Sequence, residues 1–262
     1  MELKLKPHQK SAIRKMHNGC ILCGGTGSGK SITGLAYYFI QNGGTVEPMT
    51  KMKNPKDLYI ITTAKKRDSG EWIGDMSWFY LTPDDKTKIY DHKVVIDSWN
   101  NIKKYASVQN SFFIFDEQRV VGYGAWTKSF LKIAKANDWI LLSATPGDNY
   151  MDYMPVFIAN GFYKNKSEFT AEHCVYSRFS KFPQIERFIG TERLNRLRRR
   201  VLVDMPYQNP AVQHHEDVWC SFNKEAYKDL MKNRFDYEKG EPIENVSELC
   251  YKLRKICYAC LL

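Results

Sequence analysis

No apolar run in the 262 residues approaches the roughly 20 consecutive positions needed to cross a bilayer. The opening Met1-Glu2-Leu3-Lys4-Leu5-Lys6 carries charges where a leader peptide needs its apolar stretch, so no membrane partner is expected and a cytoplasmic protein is. Cysteine is sparse: seven residues, an odd number, lie scattered at 20, 23, 174, 220, 250, 257 and 260, which excludes a disulfide framework. Two C-x-x-C pairs invite a zinc reading. Cys20 and Cys23, however, fall in an apparent strand, where positions three apart point to opposite faces, so small buried hydrophobes are expected. Internal repeats and low-complexity blocks are also lacking, which excludes solenoids and fibrous folds. Acidic residues are the scarcer sign, 29 against 39 Lys and Arg, and the net charge of +10 points to an anionic partner.

What is present is the composition of a globular protein, 43% hydrophobic and 26% charged, in a pattern of short apolar runs alternating with amphipathic stretches. The runs Cys20 to Cys23, Leu58 to Thr62, Lys93 to Ile96, Phe112 to Phe115 and Trp139 to Leu142 read as strands. Residues 31–41, 69–79 and 125–136 read as helices between them. Such alternation predicts an α/β fold with a mainly parallel sheet covered on both faces. Trp72, Trp78, Trp126 and Trp139 each fall in one of these elements and are expected in the core. Met205-Pro206 and Asn209-Pro210 read as breaks, so the expected division is a first domain over 1–205 and a helical extension over 206–262. Helices over 223–234 and 244–258 would give that extension too little core to stand alone.

The strongest local signal is Gly24-Gly25-Thr26-Gly27-Ser28-Gly29-Lys30-Ser31, which fits G-x-x-x-x-G-K-[ST] directly after a strand and before a helix. Gly25, Thr26, Gly27, Ser28 and Gly29 let backbone N–H groups wrap a phosphate, and the helix start adds its positive end. Lys30 supplies a point charge for the β and γ phosphates, and Ser31 a hydroxyl ligand for Mg²⁺. A second acidic group is needed for the metal, and Phe112-Phe113-Ile114-Phe115-Asp116-Glu117 provides it at the end of a buried strand. Asp116 would hold Mg²⁺ and Glu117 would orient and deprotonate an attacking water. Ser143-Ala144-Thr145, ahead of Pro146-Gly147, reads either as a plain turn or as a relay whose hydroxyls reach the carboxylates.

Gln9, the glycine loop, Asp116-Glu117-Gln118-Arg119 and Ser143-Ala144-Thr145 occur in the order that marks the first RecA-like motor domain of superfamily 2 helicases, which the chain resembles. Ser69-Gly70-Glu71-Trp72, Thr145-Pro146 followed by Asn149, Leu197-Arg198-Arg199-Arg200 and Leu253-Arg254-Lys255-Ile256-Cys257 are most similar to the Swi/Snf-type branch, including its phage and bacterial members. The resemblance implies ATP with Mg²⁺ as cofactors, Gln9 reading the adenine, and nucleic acid, DNA by preference, as partner. It also implies that Thr62, Thr63 and Lys65 touch the nucleic-acid backbone, and that a second RecA-like domain in cis, with its arginine fingers, follows about where the chain ends. A phage-encoded member would work in the host cytoplasm. Two other readings stay open: an ATP-binding regulator of nucleic acid, and the motor module of a restriction or repair complex.

Residues 178–200 hold eight Lys or Arg against two Glu, six of the ten surplus charges. On a helix, Arg193, Arg196 and Arg200 share a stripe beside Leu194, Leu197 and Val201. Contact of Arg196, Arg199 and Arg200 with phosphates and an interdomain brace are both consistent with this pattern. His92, His214 and His215 lack metal spacing and read as surface residues.

Overall fold

The computed structural model describes residues 3–83, 90–117, 123–179, 182–207 and 222–258. Gln118, Arg119, Cys220, Cys260, His214, His215 and the Asn209-Pro210 break lie outside them. The chain divides into two compact units, Met1–Asn209 and Pro210–Leu262.

In the first unit the elements run α1 (Pro7–Lys15), β1 (Ile21–Cys23), α2 (Lys30–Gln41), the short pair β2 (Thr45–Val46) and β3 (Met49–Thr50), β4 (Leu58–Thr62), α3 (Ala64–Asp68) and α4 (Glu71–Ser77). They continue with β5 (Val94–Ser98), a 3-10 helix (Trp99–Tyr105), β6 (Phe112–Asp116), α5 (Ala125–Ala136), β7 (Asp138–Ser143), α6 (Tyr150–Ala159) and α7 (Lys166–His173). The hairpin β8 (Cys174–Tyr176) and β9 (Ile185–Phe188), then α8 (Thr191–Val201) and β10 (Leu202–Asp204), complete the unit. Six strands form one sheet in the order β10-β1-β7-β6-β4-β5, with every neighbouring pair parallel.

Both faces of this sheet are buried, which is why its strands read as continuous apolar runs rather than as alternating ones. Successive side chains still point to opposite faces. Leu22, Ile60, Ile114 and Ile140 pack with α2 and α4 residues such as Leu35, Phe39, Trp72 and Met76. Ile21, Ile61, Phe115 and Leu141 face the other way, against Phe130 and Ile133 of α5, Val156 and Phe157 of α6 and Leu194 of α8. The expected α/β architecture is therefore the one observed.

The differences are local. The predicted helix over 69–79 is the shorter α4, which starts after Gly70 in the left-handed region at φ 74°, and the separate short helix α3 precedes it where none was predicted. Trp72 and Trp139 are buried as expected, whereas Trp78 and Trp126 lie 36% and 37% exposed at the borders of the packed layers. His92, expected on the surface, is buried among Tyr38 and Tyr90. The strand β10 has no signal of its own in the sequence, because its three residues follow the arginine run and Val201 with no turn signal between. Val203 nonetheless packs into the core and Leu202 to Asp204 pair with β1.

The second unit holds α9 (Lys224–Asn233), the short pair β11 (Phe235–Asp236) and β12 (Glu241–Pro242), and α10 (Val246–Tyr258). Its buried apolar cluster is Leu230, Ile243, Leu249 and Leu253, a small core of the size the sequence leads one to expect. Ion pairs from Lys252 to Asp236 and Glu238 and from Lys239 to Glu248 tie its pieces together.

Candidate functional site

The order of the sheet puts the C-terminal ends of β1, β7 and β6 side by side, and parallel sheets bind ligands beyond such ends. β1 ends at Cys23, and the glycine loop leads from it to Lys30, the first residue of α2. Gly27 and Gly29 have φ of 75° and 83°, a region in which a side chain is strained. At Gly29 space is closed as well, since a Cβ there would lie 2.6 Å from Gln9 Nε2. At Gly25 and Gly27 a Cβ would meet nothing within 4 Å, so the loop backbone borders an open cradle. Ser28 Oγ is buried and has no hydrogen-bond partner among the described residues.

Lys30 Nζ donates to the carbonyls of Gly24 at 2.7 Å and Gly25 at 3.0 Å, which holds the ammonium at the mouth of the loop. Partial burial pushes the Lys30 pKa down, while the charge of Asp116 opposes that shift. Gln9 is buried on α1. Its Oε1 accepts from the Lys6 amide at 2.8 Å and its Nε2 donates to the Gly29 carbonyl at 3.3 Å. His8 Nε2 lies 3.0 Å from the Ser28 carbonyl, so the start of α1 is fastened to the loop.

Asp116 closes β6 and is 2% exposed. Its Oδ2 accepts from Thr62 Oγ1 at 2.9 Å and from Trp72 Nε1 at 3.2 Å, and forms an ion pair with Lys66 Nζ at 2.7 Å. Trp99 Nε1 donates to the Asp116 backbone carbonyl at 2.9 Å. Next to it, Glu117 is exposed with φ 54°, a left-handed conformation that costs a non-glycine residue about 1–2 kcal/mol. That turn ends the strand and sends the two carboxyl groups in different directions, Asp116 inward and Glu117 outward. A cleft of about 720 Å³ brings Thr26, Lys30, Ser31, Asp116, Glu117 and Ser143 together, so residues from separate stretches of sequence converge in space.

Ala144 also lines the cleft, and Ser143 lies at its floor, where its carbonyl accepts from the Gly24 amide at 3.2 Å and its Oγ from the Thr145 amide at 3.1 Å. The hydroxyl that reaches the acid comes instead from Thr62, on β4. Thr62 is fully buried and its Oγ1 is given to Asp116, which corrects its expected place on the nucleic-acid surface. Thr63 caps α3 and lines the cleft with Lys65. On α8, Leu194 and Val201 are buried as the stripe predicts. Arg193 pairs with Glu172 and lies over the Tyr163 ring, Arg198 over Tyr153 and Arg200 over Phe162, so these three brace the helix. Arg196, Arg199 and Arg200 are exposed.

Sequence reasoning missed Lys66, Glu71 and Asp75, all of which line the cleft. Glu71 and Asp75 are four apart on α4, a spacing that puts them on one face, and this was the available signal. Burial pushes the Asp75 carboxyl above its usual range, against a lowering pull from Lys66 and a hydrogen bond with Ser31. Among the described residues no group of three His, Cys, Asp or Glu is arranged to cage a metal. A hydroxyl and one carboxylate, Ser31 and Asp116, fit Mg²⁺ of the kind that phosphates and water complete.

This arrangement defines a class of fold: a RecA-like α/β domain with a parallel sheet flanked by helices. Comparison with known proteins agrees at that level. A solved SWI2/SNF2 ATPase core of Sulfolobus solfataricus, in complex with double-stranded DNA, is similar with a TM-score of 0.55 at 15% identity over 98% of this chain. This chain spans 58% of that one. The Hef helicase domain of Pyrococcus furiosus gives 0.43 at 16% identity, over 66% of this chain and 41% of that one. No family profile and no curated protein matches the sequence. Among the described residues no helix is long and apolar enough to cross a membrane.

Proposed function

We propose that the chain is the first motor domain of an ATP-dependent helicase or translocase acting on DNA. The observation that carries this reading is the convergence of Lys30, Ser31, Asp116 and Glu117 at the ends of adjacent parallel strands. The open backbone at Gly25 and Gly27 and the buried Ser28 hydroxyl, which meets no hydrogen-bond partner among the described residues, suit a polyphosphate. Lys30 faces the β and γ phosphates, with the loop amides from Thr26 to Gly29 around them. Ser31 and Asp116 would hold Mg²⁺, which supplies charge neutralisation to the phosphates when bound. Glu117, on its strained turn, orients water and takes its proton. Gln9 meets the adenine edge, and Ser143 to Thr145 link the acid end of the sheet to the glycine loop.

Thr63, Lys65, Arg196 and Arg199 are assigned to the nucleic-acid backbone, and Arg200, exposed but packed over the Phe162 ring, is left to brace the helix. The net charge of +10 and the duplex DNA bound by the Sulfolobus core support DNA as partner. In this reading residues 1–205 are the ATP-binding domain and 206–262 lead to a second RecA-like domain in cis, and the protein works in the cytoplasm. Transition-state charge needs arginines from that second domain, worth roughly 10³ to 10⁵ in rate where such fingers are supplied. The test is ATP turnover with and without duplex DNA, by the chain alone and with a second RecA-like domain supplied. DNA-stimulated turnover that depends on the added domain is expected. Turnover indifferent to DNA in both forms would overturn the assignment.

A further inference from the structure

Lys66 lies between the two groups assigned to the metal. Its Nζ is 2.7 Å from Asp116 Oδ2 and 3.4 Å from Ser31 Oγ, and 5.2 Å from the centre of the Trp72 ring. The side chain is 20% exposed and the carboxylate it meets 2% exposed, so this pair is largely withdrawn from solvent screening. Asp75, hydrogen-bonded to Ser31, adds a second acidic group beside it. The attachment of Lys66 is also firm at the backbone: its amide donates to the Thr63 hydroxyl that caps α3.

Mg²⁺ bound to the Ser31 hydroxyl would sit about 2.1 Å from that oxygen and close to Asp116. That interval is the one the ammonium group spans. Two cations so near each other in a partly buried pocket repel by several times the thermal energy, so both cannot stay. The geometry points to Lys66 as a tethered counter-cation that competes with Mg²⁺ for Ser31 and Asp116. It neutralises the buried carboxylate until the divalent ion arrives with nucleotide, and must withdraw when it does. Thr62 and Trp72, whose donors are neutral, remain on Asp116 Oδ2 in either case and keep the carboxylate aimed. This inference rests on the Mg-nucleotide reading of the cleft.

Nucleotide binding is titrated with Mg²⁺ in the wild-type chain and in Lys66→Met, with a fluorescent ATP analogue as probe. Removing the competitor is expected to lower the half-saturating Mg²⁺ concentration by about threefold or more, while Lys66→Arg, which keeps the charge, stays near wild type. An unchanged Mg²⁺ requirement in Lys66→Met overturns the inference. A raised one also overturns it, and would make Lys66 a phosphate ligand. If Lys66→Met does not fold, Lys66→Gln keeps a hydrogen-bond donor without the charge and carries the same expectation. Should the wild type show no Mg²⁺-dependent nucleotide binding, the functional assignment falls first and this inference with it.

Discussion

At the scale of single residues the site is organised around one carboxylate oxygen. Asp116 Oδ2 receives a hydroxyl, an indole N–H and an ammonium from three positions on β4, α4 and α3. Thr62→Val keeps the shape and removes one of these donors, leaving a buried charge with one hydrogen bond fewer. A decrease of about 1.5–3 kcal/mol in denaturant unfolding is expected, whereas a solvent-facing threonine at this position would cost almost nothing to replace. Glu117→Gln removes the carboxylate proposed as base and keeps the volume, so on the proposed reading nucleotide still binds while turnover with a second domain supplied falls by about 10² or more. Normal hydrolysis by that variant would take Glu117 out of the role. Asp116 and Glu117 were legible in the sequence as a pair, because an apolar run before two acids reads as a strand end. Their division into a buried and an exposed partner was not, since it depends on the φ of Glu117.

Elements explain what else the sequence showed and hid. β4 and β6 are five-residue strands with four apolar residues each, 58–61 and 112–115, and both were visible without the structure. β10 was hidden because three residues carry no periodicity, and only pairing with β1 makes them a strand. Lys66 was hidden for a related reason: its partners are 50 residues away on β6 and 35 away on α2, so no local pattern marks it. The link between β5, α3 and the 3-10 helix is Asp97, also unmarked in sequence. Burial pushes its carboxyl up, but hydrogen bonds from Asn101, Tyr105, the Ser98 amide and Arg67 outweigh that and hold it below the usual carboxylate range. A depressed pKa contributes stability above the unfolded value and loses it as pH falls through the folded one. Asp97→Asn is therefore expected to cost on the order of 1 kcal/mol at pH 7. The gap should close as the pH is lowered below about 4. A gap that does not change with pH would mean that Asp97 acts through packing alone.

For the whole molecule, charge and sheet order carry the functional account. Six of the ten surplus positive charges lie in residues 178–200, and α8 displays Arg196 and Arg199 to solvent while Arg193 and Arg198 pack on aromatic rings. Arg196→Ala with Arg199→Ala should lower the log-log salt slope of duplex DNA binding by about 0.9 for each phosphate that is no longer neutralised, without changing stability much. An identical slope would leave α8 as a brace. The parallel sheet was legible because most of its strands centre on a continuous apolar run. Which strands adjoin was not, and it is that order, β1 beside β7 beside β6, that brings the glycine loop to the acids. The central claim, that this convergence is a Mg-ATP site, is tested most directly by calorimetric titration of ATP with Mg²⁺ into the wild-type chain and Lys30→Ala. Binding by the wild type and an affinity at least about tenfold weaker in the variant are predicted, since Lys30 is the loop's own charge for the phosphates. No binding by the wild type, or equal affinity in the two proteins, would contradict the account.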